Sequence, residues 1–311
     1  MRGRDIVILL VVLTGVYFLV RRPLGPSDRE PTGEAGHLLP RFDPAAVTAI
    51  ELGSRPEPIR LVREGDHWMI EGEPPRHAAG DKVTHALGML LDLDRGELVS
   101  VVPGKHALFE VDGEAGRDVA VLADGDTLAA LVIGKPGPSR TDSYVRARGE
   151  NEVYLSGRGL APNLLRPAAH WRDRNLLPFD PNLARSITVA GADTTLVLER
   201  GEGAWAVVEP TEFEADPSAG DRLLLTLSGM TAMGFADEVA PDEAGLDIEG
   251  GHSPPTEIAV ELDDGGTRRL WIGERADDEA FYARRPDRRA VYLLAARKVT
   301  LLTAGPSAYR P

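Results

Sequence analysis

Along residues 41–177 the spacing of apolar positions changes several times, and each change marks an element. "IRLVREGDHWMI" (59–70) alternates apolar and polar residues on both sides of Glu64-Gly65-Asp66. That predicts two strands around a tight turn, with Trp68 at the start of the second. Pro74 and Pro75 break the sheet pattern. From Asp81 the period lengthens to that of a helix, placing Val83, Leu87, Leu90 and Leu91 on one face. Asp124-Gly125, between "VAVLA" and "TLAALVIG", predicts a hairpin, and a last hairpin carries Tyr144 out and Tyr154 back.

The same succession occurs again. "RFDPAAVTAIEL" (41–52) answers to "PFDPNLARSITV" (178–189), and the next strands superimpose Arg63 on Arg200 and Trp68 on Trp205. "GDKVTHALGMLL" (80–91) matches "GDRLLLTLSGMT" (220–231), with Leu223, Leu224, Leu227 and Met230 as the apolar face. "LVIGK" (131–135) matches "LWIGE" (270–274), and "YVRARGENEVYL" (144–155) matches "YARRPDRRAVYL" (282–293). The shift stays between 137 and 140 residues. The chain therefore reads as two tandem repeats, 41–177 and 178–311, of α+β class: each a mostly antiparallel sheet with a helix packed on one face.

Ahead of them, "MRGRDIVILLVVLTGVYFLVRRPLG" has an uncharged, mostly apolar run from Ile6 to Val20 between Arg2, Arg4 and Arg21-Arg22. As a helix this run is about 22 Å long against about 30 Å of hydrocarbon, a difference that snorkelling arginines absorb. No small-x-small cleavage site follows it, so residues 1–22 read as an uncleaved transmembrane anchor rather than a signal peptide. Residues 23–40, rich in Pro and Gly, read as a tether. A four-residue tail before the anchor is most simply left in the cytoplasm. The expected placement is a bacterial inner membrane, single-pass, with the bulk of the chain in the periplasm or otherwise outside the cytoplasm.

Composition narrows the partners. A net charge of −14 argues against nucleic acid, which needs a basic face. Cysteine is absent, which removes disulfides, thiolate metal sites and Cys nucleophiles. "LVIGKPGPSR" (131–140) has the look of a phosphate loop, but Glu274 stands in the second copy where the first has Lys135. No Lys-Ser/Thr pair opens a helix there. Gly134 is expected to be a turn glycine ending a strand, with no nucleotide involved.

Candidate chemistry is sparse. The histidines at 37, 67, 77, 85, 106, 170 and 252 share no metal-ligand spacing. His85 falls on the first helix, opposite Leu225 in the sequence alignment, and reads as a helix-flank residue; His77 and His106 sit near breaks with no carboxylate paired to them. "YLSGRG" (154–159) lacks a nucleophile elbow. The acidic stretches 237–249 and 275–280 fit no calcium loop and read as solvated. Tyr144, Arg146 and Arg148 alternate along one strand, as Tyr282 and Arg284 do along its counterpart. They read as an exposed sheet face or, given the value of Arg and Tyr at interfaces, as a partner-binding strip. Trp171 and the following Arg-Asp-Arg read as packing the two repeats together. No catalytic, metal or cofactor residue is assigned.

Trp68 and Trp205 ahead of a Pro-containing turn and helix, "LVIGK…YVRARGENEVYL", and the junction "WRDRNLLPFD" (171–180) resemble the bacterial domain of unknown function 4340 (DUF4340) from about residue 41 onward. The resemblance implies an anchor followed by copies of the domain, and partners in an ABC-type export system of the gliding-motility auxiliary kind. It supplies no catalytic residues. The second copy ends at "SAYRP" without a further "RDRNLL", so that segment is expected to be an interdomain strap. The expected function is a non-enzymatic accessory or scaffold subunit. The alternative is a cell-envelope hydrolase or glycan-binding protein with a site in the groove between the repeats.

Overall fold

The computed structural model describes residues 36–53, 58–191, 194–201, 204–246 and 256–311. The anchor segment and residues 23–35 of the tether lie outside these, as does His252. Among the described residues no helix is long and apolar enough to cross a membrane. The chain divides into two compact units, Met1–Trp171 and Arg172–Pro311.

In the first unit nine strands run in chain order β1 (Ala49–Gly53), β2 (Ile59–Glu64), β3 (His67–Ile70), β4 (Arg76–His77), β5 (Glu97–Ser100), β6 (Arg117–Ala123), β7 (Asp126–Pro136), β8 (Ser143–Ala147) and β9 (Val153–Ser156). Helix α1 (Gly80–Leu91) lies between β4 and β5, and two short helices, α2 (Leu160–Leu164) and α3 (Ala168–Trp171), close the unit. The strands form one antiparallel sheet in the order β4-β3-β2-β1-β6-β7-β8-β9-β5. The second unit repeats this strand by strand. Its strands are β10 (Ala184–Gly191), β11 (Thr195–Arg200), β12 (Trp205–Glu209), β13 (Phe213–Glu214), β14 (Gly234–Phe235), β15 (Thr256–Leu262), β16 (Thr267–Arg275), β17 (Ala280–Arg284) and β18 (Tyr292–Ala295), ordered β13-β12-β11-β10-β15-β16-β17-β18-β14, with helices α4 (Pro217–Ser228) and α5 (Ala296–Leu302). The expected α+β duplication is the architecture found, and its sheets pair wholly antiparallel among the described strands.

Local chemistry explains the shared elements. The Phe-Asp-Pro motif starts a 3-10 turn in each copy. Asp43 accepts the Ala45 N–H and Asp180 the Asn182 N–H, both at 2.9 Å, with proline next in line where no donor is needed. Arg63 and Arg200 reach back to donate to carbonyls of those turns. The Asp124-Gly125 turn has positive φ at both residues, as a two-residue hairpin with right-handed strand twist demands. On one sheet face α1 buries Val83, Ala86, Leu87 and Leu90 against Ile50, Leu61, Trp68 and Ile133. A fully buried Leu of this kind contributes roughly 1.5–3 kcal/mol over leaving it exposed.

The helices are aligned differently from the sequence expectation. Ala78 donates to the Trp68 carbonyl and Ala215 to that of Trp205. Ala79 donates to Trp171 and Asp216 to Tyr309. Each pair in the helix region differs by 137, so Gly80 corresponds to Pro217 and Val83 to Gly220, rather than Gly80 to Gly220. His85 then faces Arg222, not Leu225. A slip of three residues turns a helix by about 300°, close to a full turn, so the apolar pattern alone barely resists it.

Residues 36–39 also belong to the first fold, ahead of the boundary at 41. Leu38 and Leu39 are buried in the first core, and the Leu38 N–H donates to the Leu93 carbonyl at 2.7 Å. Leu176 and Leu177 do the same in the second core, with Leu176 donating to Met230 at 2.9 Å. "HLLP" (37–40) and "NLLP" (175–178) are thus one motif in two copies. The Leu-Leu pair of the expected strap is the opening of the second fold.

Candidate functional site

Tyr144 and Arg146 lie on β8, on the sheet face away from α1, and Arg148 follows directly after its end. That face is crossed by the segment 107–111. Tyr144 is half-buried with its ring 4.9 Å from that of Phe109, beside Val111, Val132 and Val153. Arg146 donates through Nε and Nη2 to the Val111 carbonyl at 2.9 and 2.8 Å, and through Nη1 to that of Glu150 at 3.1 Å. Burial lowers its affinity for the proton, partly offset by Asp118. Arg148 pairs with Asp118 at 2.7 Å and remains the exposed member. On β17 (Ala280–Arg284), Tyr282 packs against Ala244, Leu246 and Val291, and Arg284 donates to the Arg288 carbonyl at 3.2 Å. The strip is brought together within each repeat, and its donors are used inside that repeat: Arg146 holds the crossing segment at Val111, while the others go to Glu150, Asp118 and Arg288.

The glycine of "LVIGK" has a related role. Gly134 lies inside β7 and Gly273 inside β16 (Thr267–Arg275), so neither ends a strand as expected. A Cβ on Gly134 would stand 2.2 Å from the Phe109 carbonyl oxygen, and one on Gly273 would stand 2.0 Å from that of Ala244. Only a residue without a Cβ lets the crossing segment lie this close to the strand. The ammonium of Lys135 sits 5.8 and 5.7 Å from the ring centroids of Phe109 and Tyr144. These residues form a packing contact between the crossing segment and the sheet.

The histidines are scattered. His106 Nε2 lies 3.0 Å from the Asn151 carbonyl, His67 and His77 meet edge to face, and His37 is 3.7 Å from Asp94. His85 and His170 share a shallow pocket of about 210 Å³ in the first unit with Asp81, Lys82, Asn163 and Trp171. Lys82 Nζ donates to the His170 carbonyl. The buried Trp171 Nε1 finds no hydrogen-bond partner among the described residues. The aligned second-repeat residues for Asp81, Lys82 and His85 are Ser218, Ala219 and Arg222, so the Asp-Lys-His combination belongs to one copy. Among the described residues no group of three or more His, Asp or Glu is placed to hold a metal ion.

One surface went unread in the sequence. Leu98, Val99, Val101 and Val102, on or just after the edge strand β5, and Leu108, in the crossing segment, are exposed large apolar residues. The signal was present in "ELVSVVPGK" (97–105), an apolar run without the alternation of a one-sided strand, stopped by Pro-Gly.

A family model described as "Domain of unknown function (DUF4340)" matches residues 68–249 and again residues 205–310. The two matches begin on Trp68 and Trp205, which occupy the same place in the two sheets. No curated protein matches, and no solved structure does.

Proposed function

The chain belongs to the DUF4340 family, and from that premise we propose that it is a membrane-anchored accessory or scaffold protein working outside the cytoplasm. The observation that carries the reading is the order of parts. An apolar run, Ile6–Val20, is bounded by arginines and followed by two copies of one β-rich unit whose conserved shape rests on buried side chains. The run holds the chain in the inner membrane, and the repeats stand in the periplasm. The family resemblance gives the partner: a component of an ABC-type transport system of the gliding-motility kind. Arg148, exposed on the first strip, offers that partner a charged contact.

The test uses the full chain in bacterial membranes. Carbonate washing should leave it in the pellet, and protease added to spheroplasts should digest the repeats from outside. Gentle detergent extraction should then co-purify an ABC-type ATPase or permease. Release by carbonate, or repeats shielded from protease in intact spheroplasts, would end the reading.

The pocket of Asp81, Lys82, His85 and His170 favours a second reading, a cell-envelope hydrolase, because its Asp-Lys-His combination occurs in one copy only. In that case His85→Ala would abolish turnover on an ester, glycan or phosphate panel that the parent protein hydrolyses. No turnover by the parent would remove it.

A further inference from the structure

We propose that the β5 edge of the first repeat lies against the lipid bilayer, with Leu98, Val101, Val102 and Leu108 turned into its surface. The inference rests on the membrane-anchor reading above. These four side chains are 53%, 53%, 47% and 60% exposed, close together in sequence, and bracket the exposed turn at Pro103-Gly104-Lys105. Scattered apolar residues on a surface need no explanation, but a cluster of this kind marks a contact.

The edge is poorly built for another strand. The β5–β9 ladder shifts register between Leu98 and Ser100, Pro103 stops it, and the Val102 N–H is taken by Ser100 Oγ at 3.2 Å. Bulges and prolines are the ordinary means by which edges refuse pairing. An apolar surface that rejects strands suits a fluid apolar phase, with Lys105 at the level of phosphate headgroups.

Position in the chain points the same way. The Arg95 N–H donates to the Gly36 carbonyl at 2.7 Å, and β5 begins two residues after Arg95. The chain therefore enters the first repeat beside this edge. From Val20, the last residue of the apolar run, to Gly36 is 16 residues, at most about 55 Å when fully extended. The first repeat's edge is held within that reach of the membrane.

The second repeat shows the same edge finished differently. Phe235, paired with Tyr292 as Leu98 is with Tyr154, lies under the Arg172 guanidinium at 3.3 Å, which is bound to Asp237 at 2.6 and 2.7 Å. The residues that follow are Ala236-Asp237-Glu238, whose carboxylates a bilayer would reject. The second copy's edge is thus covered at Phe235 and leaves one apolar side chain, Met233, exposed at 51%, whereas the copy next to the apolar run leaves Leu98, Val101, Val102 and Leu108 bare.

The chain has no cysteine, so single nitroxide labels can be placed by Val101→Cys and Glu238→Cys in the full-length protein. In phosphatidylethanolamine–phosphatidylglycerol vesicles, the Val101 label should collide several-fold more often with oxygen than with a water-soluble nickel chelate. The Glu238 label should do the reverse. A Val101 label as open to nickel as the Glu238 label would overturn the inference, and so would spin–spin broadening that places two Val101 labels together in a second copy. A label at Leu225→Cys, exposed on α4, checks that the second fold is intact. Carbonate extraction of the same vesicles separates the two readings: release removes the anchor, whereas retention with an aqueous Val101 label removes only the lipid contact.

Discussion

The two repeats agree in strand order and in the bonds that close each fold, and they part at two places. In both, an aromatic residue near the end, Trp171 or Tyr309, accepts the N–H that precedes the packed helix. In both, a glycine lets a crossing segment lie on the central sheet. They differ beside the conserved tryptophan. Gly220 is in van der Waals contact range of Trp205, where a Cβ would come within 2.6 Å of the ring, whereas Val83 fills the aligned position near Trp68. They differ again at the outer edge, where Arg172 and Asp237 cover Phe235 but Leu98 is open. Backbone approaches and closures have been kept because nothing else fits them. Rims have diverged because side chains there answer to whatever lies outside.

The largest expected effect tests where the first repeat begins. Leu38→Ala and Leu176→Ala each remove a buried side chain from equivalent places, 2% and 0% exposed, and each should cost about 3 kcal/mol. Urea unfolding followed by tryptophan emission would measure this, since Trp68 and Trp171 lie in one unit and Trp205 and Trp271 in the other. A neutral Leu38→Ala beside a costly Leu176→Ala would put the first fold's start after residue 40 and break the comparison.

That boundary also shows how far the residues could be read in advance. The duplication was legible because strands alternate with period 2 and Phe-Asp-Pro, Trp and Asp-Gly fall at fixed distances. Leu38-Leu39 were lost in a Pro/Gly-rich stretch, since two apolar residues carry no period. The helix register slipped because three residues nearly complete a turn. The place of Gly134 inside a strand was hidden because close approach is set by a distant segment, and its sequence looks like any turn. The Arg/Tyr strip was recognised as a set, but the carbonyls of Val111, Glu150 and Arg288 that hold it come from loops with no pattern of their own.

Next in size is the crossing glycine. Gly134→Ala and Gly273→Ala should each cost about 2 kcal/mol, because the new methyl meets a backbone oxygen that has no rotamer to yield. Gly80→Ala is the control: its Cβ meets nothing within 4 Å, and it should be neutral or slightly stabilising. If Gly134→Ala were as harmless as Gly80→Ala, the crossing segment would not be held where the structure has it. Arg172→Ala follows, at about 1–2 kcal/mol. It leaves Asp237 without its bidentate partner, but that carboxylate is a third exposed and water recovers part of the loss. It should also bare Phe235 and increase binding of an apolar dye, making the second edge resemble the first.

The smallest effect depends on pH and concerns how the two packed helices start. Helix α4 is capped by Asp216, which accepts from the Ser218 hydroxyl and from the Ala219 N–H at 3.0 Å; α1 is preceded by Ala79, with no side-chain cap. The Ser218 bond, then the Ala219 N–H, hold the Asp216 carboxyl below the ordinary aspartate range. A carboxyl whose folded-state pKa is lowered stabilises the fold fully above its unfolded value, and that contribution disappears as pH falls through the folded value. Asp216→Ala should therefore lower the urea midpoint of the second unit at pH 7. The gap to the parent protein should narrow below roughly pH 4, where an unfolded aspartate takes up its proton, and then close. No such pH-dependent gap should follow substitution at the start of α1, where Ala79 has no charge to lose. A gap that stayed constant down to pH 2 would mean that Asp216 acts through its shape rather than its charge, and the contrast between the two helix starts would lose its electrostatic basis.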